Sequence, residues 1–287
     1  MTEVTLDQAA GLRRLLARGV PRTITIASAA AGAGRSLITV NLAVALARRG
    51  RGVLVLDCAS GRGSAGWLLG ALPHSDLLEA ARGAAATTSL IAEGVAGVRV
   101  AQARALFAGL ANFPESNFYE LAQLFETLQE EADVLLVDAP PADLVCGAAA
   151  SEMILLVGPD AEAMTASYRL IKRMHAGSGS RRIHVLVNRA HSPTHADRIF
   201  GNLSATSSRF LKLPLESVGC IPDDERMAHA ARLRQTVIEA FPEAGCARAL
   251  GDCAETLSRW SYPGEDGFAD FGIRLVETAR RLGSINH

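Results

Sequence analysis

This sequence predicts an α/β fold: a doubly wound, mostly parallel sheet of about seven strands with helices on both faces. Three observations carry the prediction. Short apolar runs such as Val53-Leu54-Val55-Leu56 and Val134-Leu135-Leu136-Val137 lack polar alternation, the pattern of strands buried on both faces. Helical patterns separate these runs, so strand–helix–strand units repeat along the chain. The chain's 287 residues, 49% of them hydrophobic, suffice for one large core with or without small appendages.

The elements follow in order. Residues 5–18 read as a short amphipathic helix, with Thr5 and Gln8 placed as a capping box and Gly19 as its stop. Strands are expected at 23–28, Val53–Asp57, Val98–Ala101, Val134–Asp138, Met153–Val157, Ile183–Asn188 and Ser217–Cys220. Helices are expected at 36–49, 76–82, 117–131, 160–175 and 224–235. Residues 261–267, rich in Gly, Pro and acidic side chains, read as a linker. Beyond it, Phe268, Phe271, Leu275, Ala279 and Leu282 form one stripe of a second amphipathic helix over 268–282. The expected organisation is an N-terminal helix within 1–20, a core domain over 21–260, and a linker with a C-terminal helix over 261–287.

Composition narrows the function classes. A net charge of −1 argues against bulk nucleic-acid binding. Arginine dominates the cations, with lysine only at Lys172 and Lys212. Five cysteines without a CxxC pair suit a reducing cytoplasm. No signal peptide opens the chain, and no apolar run is long enough to span a bilayer, so a cytoplasmic location is expected. His191 and His195 are four apart, but Pro193 between them argues against a helical zinc face.

Residues 29–36, Ala-Ala-Ala-Gly-Ala-Gly-Arg-Ser, join the strand at 23–28 to the helix from 36. Strand, glycine-containing loop, then Ser opening a helix is the P-loop arrangement, in which backbone N–H groups converge on phosphate oxygens. Gly32, Ala33, Gly34, Arg35, Ser36 and Leu37 are therefore candidate nucleotide-binding residues. Two requirements of the pattern are missing: Ala29 stands for the first glycine and Arg35 for the lysine. Alanine at 29 and 31 costs about 1–2 kcal/mol each if those positions need left-handed dihedrals. A planar guanidinium does not simply replace a compact ammonium in a tight loop. By itself the loop fits equally an Ala/Gly-rich strand-to-helix turn.

Two carboxylates add to it. Asp138 ends the apolar strand at 134–138, the Walker B arrangement, and can hold a Mg²⁺-bound water opposite the Ser36 hydroxyl. Asp57 ends another apolar strand and is a second outer-shell candidate. Ser36, Asp57 and Asp138 are the candidate metal residues. The simpler reading of each Asp is a strand-end cap for the next loop.

With these motifs in order, the chain resembles the MinD/ParA family of P-loop ATPases, and within it the flagellar-number regulators of the FlhG type, over about residues 21–250. Asp138-Ala139-Pro140-Pro141 is similar to the family's Walker B turn. Segments 151–157 and 165–172 look like its next strand and helix. The resemblance implies ATP or ADP with Mg²⁺ as cofactor, a base contact from Asn188 and Arg189, and a loop including Pro222 and Asp223 that closes over the base. Asp7, Gln8, Ala9, Leu12 and Arg13 resemble the N-terminal motif that engages an FlhF-like signal-recognition-type GTPase. A homodimer is also implied. So is peripheral membrane contact through the C-terminal helix, with Phe268, Phe271, Leu275 and Leu282 as its lipid-facing residues; the alternative is a helix packed on the chain's own core.

Departures from the family are as informative. Ala30 replaces a lysine that reaches across a dimer, Arg35 replaces the second lysine, and Ala59 stands where an Asp orients the attacking water. These predict lost or greatly slowed hydrolysis, so no catalytic residue is assigned. The expected function is an FlhG-like regulator of flagellar number or placement. The alternatives are an active dimerising switch ATPase and a ParA-like DNA-segregation factor.

Overall fold

The computed structural model describes residues 21–86, 89–178, 182–260 and 267–285. In chain order these form β1 (Arg22–Ser28), α1 (Arg35–Ala47), β2 (Val53–Asp57), α2 (Ala65–Leu69), α3 (Leu77–Ala81), β3 (Ile91–Glu93), β4 (Arg99–Gln102), α4 (Arg104–Gly109), α5 (Phe118–Glu131), β5 (Val134–Asp138), α6 (Leu144–Ala149), β6 (Glu152–Val157), α7 (Ala161–Ser178), β7 (Arg182–Ala190), α8 (Pro193–Leu211), β8 (Glu216–Pro222), α9 (Glu225–Arg232), α10 (Val237–Ala240), α11 (Gly245–Arg259) and α12 (Phe268–Ile285).

The strands make one eight-stranded sheet in the order β3-β4-β2-β5-β1-β6-β7-β8. All pairs are parallel except β3 with β4. The uninterrupted apolar runs of β2 and β5 are buried at every position, as strands covered on both faces must be. One face carries α1 and α11, whose Leu42, Val44, Leu250 and Leu257 pack with Val55 and Leu136 of the sheet. The other carries α5 and α12, whose Phe125, Leu128, Phe268 and Phe271 pack with Leu54 and Leu135.

The sheet has one strand more than expected. β3 is a three-residue antiparallel edge strand, too short to show periodicity. Two long helices also differ from expectation. α8 begins at Pro193, with Ser192 as N-cap accepting a bond from the His195 N–H at 3.1 Å. Pro193 therefore starts a helix rather than breaking one, since the first helical position needs no N–H donor. His195 lies inside α8 and His191 before it, their rings stacked at 5.2 Å. No cluster of three or more metal-ligating side chains occurs among the described residues. α11 is likewise a full helix that the expected set lacks.

The C-terminal helix corrects the membrane expectation. Phe268, Phe271 and Leu275 are each fully buried, and Leu282 is half-buried. Phe271 meets Phe125 of α5 edge-on, with centroids 5.6 Å apart. The Phe268 N–H donates to Gln129 Oε1 at 2.7 Å. Arg274 Nε donates to the Ala149 carbonyl at 2.8 Å, and Arg280 to Glu115 and the Phe113 carbonyl. Stripe and flanking arginines are thus both engaged by the chain itself. Gly272 is explained too: a β-carbon there would lie 2.4 Å from the Phe125 ring. No described helix is long and apolar enough to cross a membrane. The N-terminal motif residues Asp7, Gln8, Ala9, Leu12 and Arg13 lie outside the described residues.

Candidate nucleotide-binding site

Sheet order brings the loop and both carboxylates to one end. β5 lies between β1 and β2, so Asp138 is in register with both Ile26 and Asp57. The loop leaves the carboxyl end of β1 and enters α1 at Arg35, the place where open α/β sheets bind ligands. Gly32 and Gly34 take φ of +75° and +84°, values that suit glycine. Ala29 and Ala31 are not among the residues with positive φ, so the anticipated strain at these alanines is absent. The loop's left-handed turns fall where its glycines are.

Arg35 decides the character of the site. Its Nε donates to Asp138 Oδ1 at 2.9 Å, and its Nη1 reaches Ser28 Oγ at 3.4 Å. The Ser36 hydroxyl donates to the other oxygen, Oδ2, at 2.5 Å. The Asp138 side chain is fully buried and that of Arg35 is 11% exposed. Burial pushes the Asp138 carboxyl above its ordinary range, against the opposing pull of Arg35 and Ser36. Asp57 is buried beside it, its oxygens accepting from the Ala59 N–H at 2.9 Å and the Gly66 N–H at 2.8 Å. Burial raises its carboxyl as well, opposed by these backbone bonds. Asp57 therefore holds the turn into α2.

Asn188 and Arg189, expected to contact a base, are bonded to the loop. Asn188 Nδ2 donates to the Ala33 carbonyl at 2.8 Å, and its Oδ1 accepts from the Arg189 N–H at 3.0 Å. Arg189 has φ of +56°, unusual for a side-chain-bearing residue, and its Nη2 donates to the Gly32 carbonyl at 3.1 Å. The two residues brace the loop. Pro222 ends β8 and Asp223 follows it, the Asp223 N–H donating to the Ala190 carbonyl at 3.1 Å. Leu37 instead packs partly buried against the α1 side of the core. Sequence reading missed Ser28, which Arg35 approaches while its own hydroxyl donates to the Ala30 carbonyl at 2.9 Å. It also missed Gln102, whose Nε2 donates to the carbonyls of Asp57 and Ala59. Neither carries a local signal, because each acts through backbone brought near by the fold. A cavity of about 620 Å³, lined by Gly52, Glu93, Arg99 and Asp133, opens at the opposite, amino end of the strands.

A match to the CobQ/CobB/MinD/ParA nucleotide binding domain spans residues 24–237. The chain belongs to this family. It is 32% identical over 262 residues to the antiactivator FleN of Pseudomonas aeruginosa, covering 89% of this chain and 94% of FleN. Among solved structures it is similar to the MinD cell division protein of Aquifex aeolicus, with TM-score 0.66, 20% identity, and coverage of 84% of this chain and 98% of that one. It is also similar to the septum site-determining protein MinD of Pyrococcus horikoshii, solved with Mg-ADP: TM-score 0.63, 19% identity, and coverage of 83% and 96%. At these identities the two structures establish the fold alone.

Magnesium is the ion this family implies, and the residues here do not fit it. The Ser36–Asp138 bond would leave hydroxyl lone pairs for a cation. The obstacle is Arg35, whose charge already answers Asp138. At about 5 Å and an effective dielectric of about 20, a divalent ion and a guanidinium repel by about 7 kcal/mol. That cancels the attraction of the carboxylate at the same distance. The remaining carboxylate, Asp57, spends its oxygens on backbone N–H groups.

Proposed function

We propose that this chain is a FleN/FlhG-type regulator that binds an adenine nucleotide but hydrolyses ATP very slowly or not at all. Its output is contact with partner proteins of flagellar assembly. The observation that carries this reading is the Arg35–Asp138 pair: the only charged side chain of the loop is turned onto the Walker B carboxylate. Ala30 and Ala59 leave two further hydrolytic positions without a functional group. Likeness to FleN over most of both chains supports the regulatory role.

Purified protein is expected to turn over ATP below about 10⁻² s⁻¹ with Mg²⁺ present, against about 1–10³ s⁻¹ for typical enzymes. A phosphate-release assay measures this. Rapid turnover abolished by Asp138→Ala would support the working ATPase switch instead.

The partner is proposed to be an FlhF-like signal-recognition-type GTPase, met by the segment containing Asp7, Gln8, Ala9, Leu12 and Arg13. A peptide of residues 1–20 that orders on its target pays an entropy cost, so affinity of roughly micromolar order is expected. Added to such a GTPase, it should raise GTP turnover, and Gln8→Ala or Leu12→Asp should remove the effect. No stimulation by peptide or full chain, with the GTPase itself active, contradicts the partner assignment.

A further inference from the structure

We infer that Arg35 takes the place of the metal, so that this site binds a nucleoside diphosphate without Mg²⁺. The inference rests on the nucleotide-binding reading above and goes beyond it by naming the ligand's form. A P-loop site ordinarily offsets phosphate charge with a lysine and a divalent ion whose outer shell a Walker B carboxylate holds. Here one residue stands in both places, its charge set on the carboxylate and its remaining N–H donors available to phosphate. Arg35 sits at the first position of α1, where backbone N–H groups face a phosphate. Its Nε neutralises Asp138 at 2.9 Å, so that carboxylate neither repels a phosphate nor attracts a cation. Guanidinium has five donors, and among the described residues Nη1 to Ser28 at 3.4 Å is its only other side-chain hydrogen bond, so donors remain for phosphate oxygens. The loop is held ready by the Asn188 and Arg189 bonds to the carbonyls of Ala33 and Gly32. A third phosphate gains nothing comparable, since Ala30 offers it no charge.

The test is calorimetric titration of the full chain with ADP and with ATP, each with Mg²⁺ and with EDTA, beside Arg35→Lys. ADP affinity should be the same within twofold in Mg²⁺ and EDTA, and ATP should bind no more tightly than ADP. Arg35→Lys should create a dependence, binding ADP tenfold or more tighter with Mg²⁺ than with EDTA. A tenfold loss of ADP affinity in EDTA for the natural chain overturns the inference, as does Mg-ATP binding tenfold tighter than ADP. If the natural chain binds neither nucleotide, the nucleotide-binding reading fails. The variant then decides separately: regained Mg²⁺-dependent binding supports exclusion of the metal by Arg35, and continued silence overturns it.

Discussion

Phe271→Ala should destabilise the protein by about 3–5 kcal/mol, the usual cost of emptying a buried phenylalanine site. For a chain of this size that is a fall of roughly 10 °C in melting temperature. The cause is the placement of α12, where Phe271 is fully buried against the ring of Phe125. Gly272→Ala should be costly for the opposite reason, since its new methyl would stand 2.4 Å from that ring and the helix would have to move. Removing residues 264–287 should expose the Leu121, Phe125 and Leu128 face of α5 and cost solubility. Thermal melts and liposome sedimentation together check this. Loss of liposome binding by Phe271→Ala with an unchanged melting temperature would return the helix to a membrane role.

Glu152→Ala is expected to have a comparable effect at the other end of the sheet. Glu152 opens β6 with its side chain fully buried, and Arg22 grips its Oε2 through Nε at 3.1 Å and Nη2 at 2.5 Å. His184 Nε2 lies 3.6 Å from Oε1, and the His184 ring stacks on Trp260 at 3.7 Å. Arg22 also donates to the Leu257 carbonyl of α11 at 2.7 Å, so the cluster ties β1, β6, β7 and α11 together. Removing the carboxylate leaves a guanidinium largely buried and without its counter-charge, which typically costs about 3–5 kcal/mol. Burial acts to raise the Glu152 carboxyl, but the His184 and Arg22 contacts outweigh it and hold it below its ordinary value. The sign follows from that depression. The stabilisation is complete above the unfolded-state value of about 4.3 and is lost as pH falls through the lower folded value. Melting temperature should therefore fall with acidification below about pH 5, and Glu152→Gln should flatten part of that slope. Fluorescence of Trp260, stacked on the same cluster, offers a local readout. An unchanged acid profile in Glu152→Gln would show that the cluster does not contribute.

Local pattern determined a good deal of this protein. The buried apolar runs named β2 and β5, the glycine spacing marked the loop, and an arginine at 35 was enough to question hydrolysis. The amphipathic period of 268–282 correctly announced a helix. Periodicity reports that a face is apolar, not what covers it, and only packing against α5 and α6 decided that the cover is protein. The same limit applies to charge. Arg35 and Asp138 are 103 positions apart, and Arg22 and Glu152 are 130 apart. Which carboxylate each arginine meets depends on strand order, which places β5 on one side of β1 and β6 on the other. The residue types set what the site could hold. The long-range pairing set what it does with them, because a buried charge takes whichever partner the sheet puts within reach.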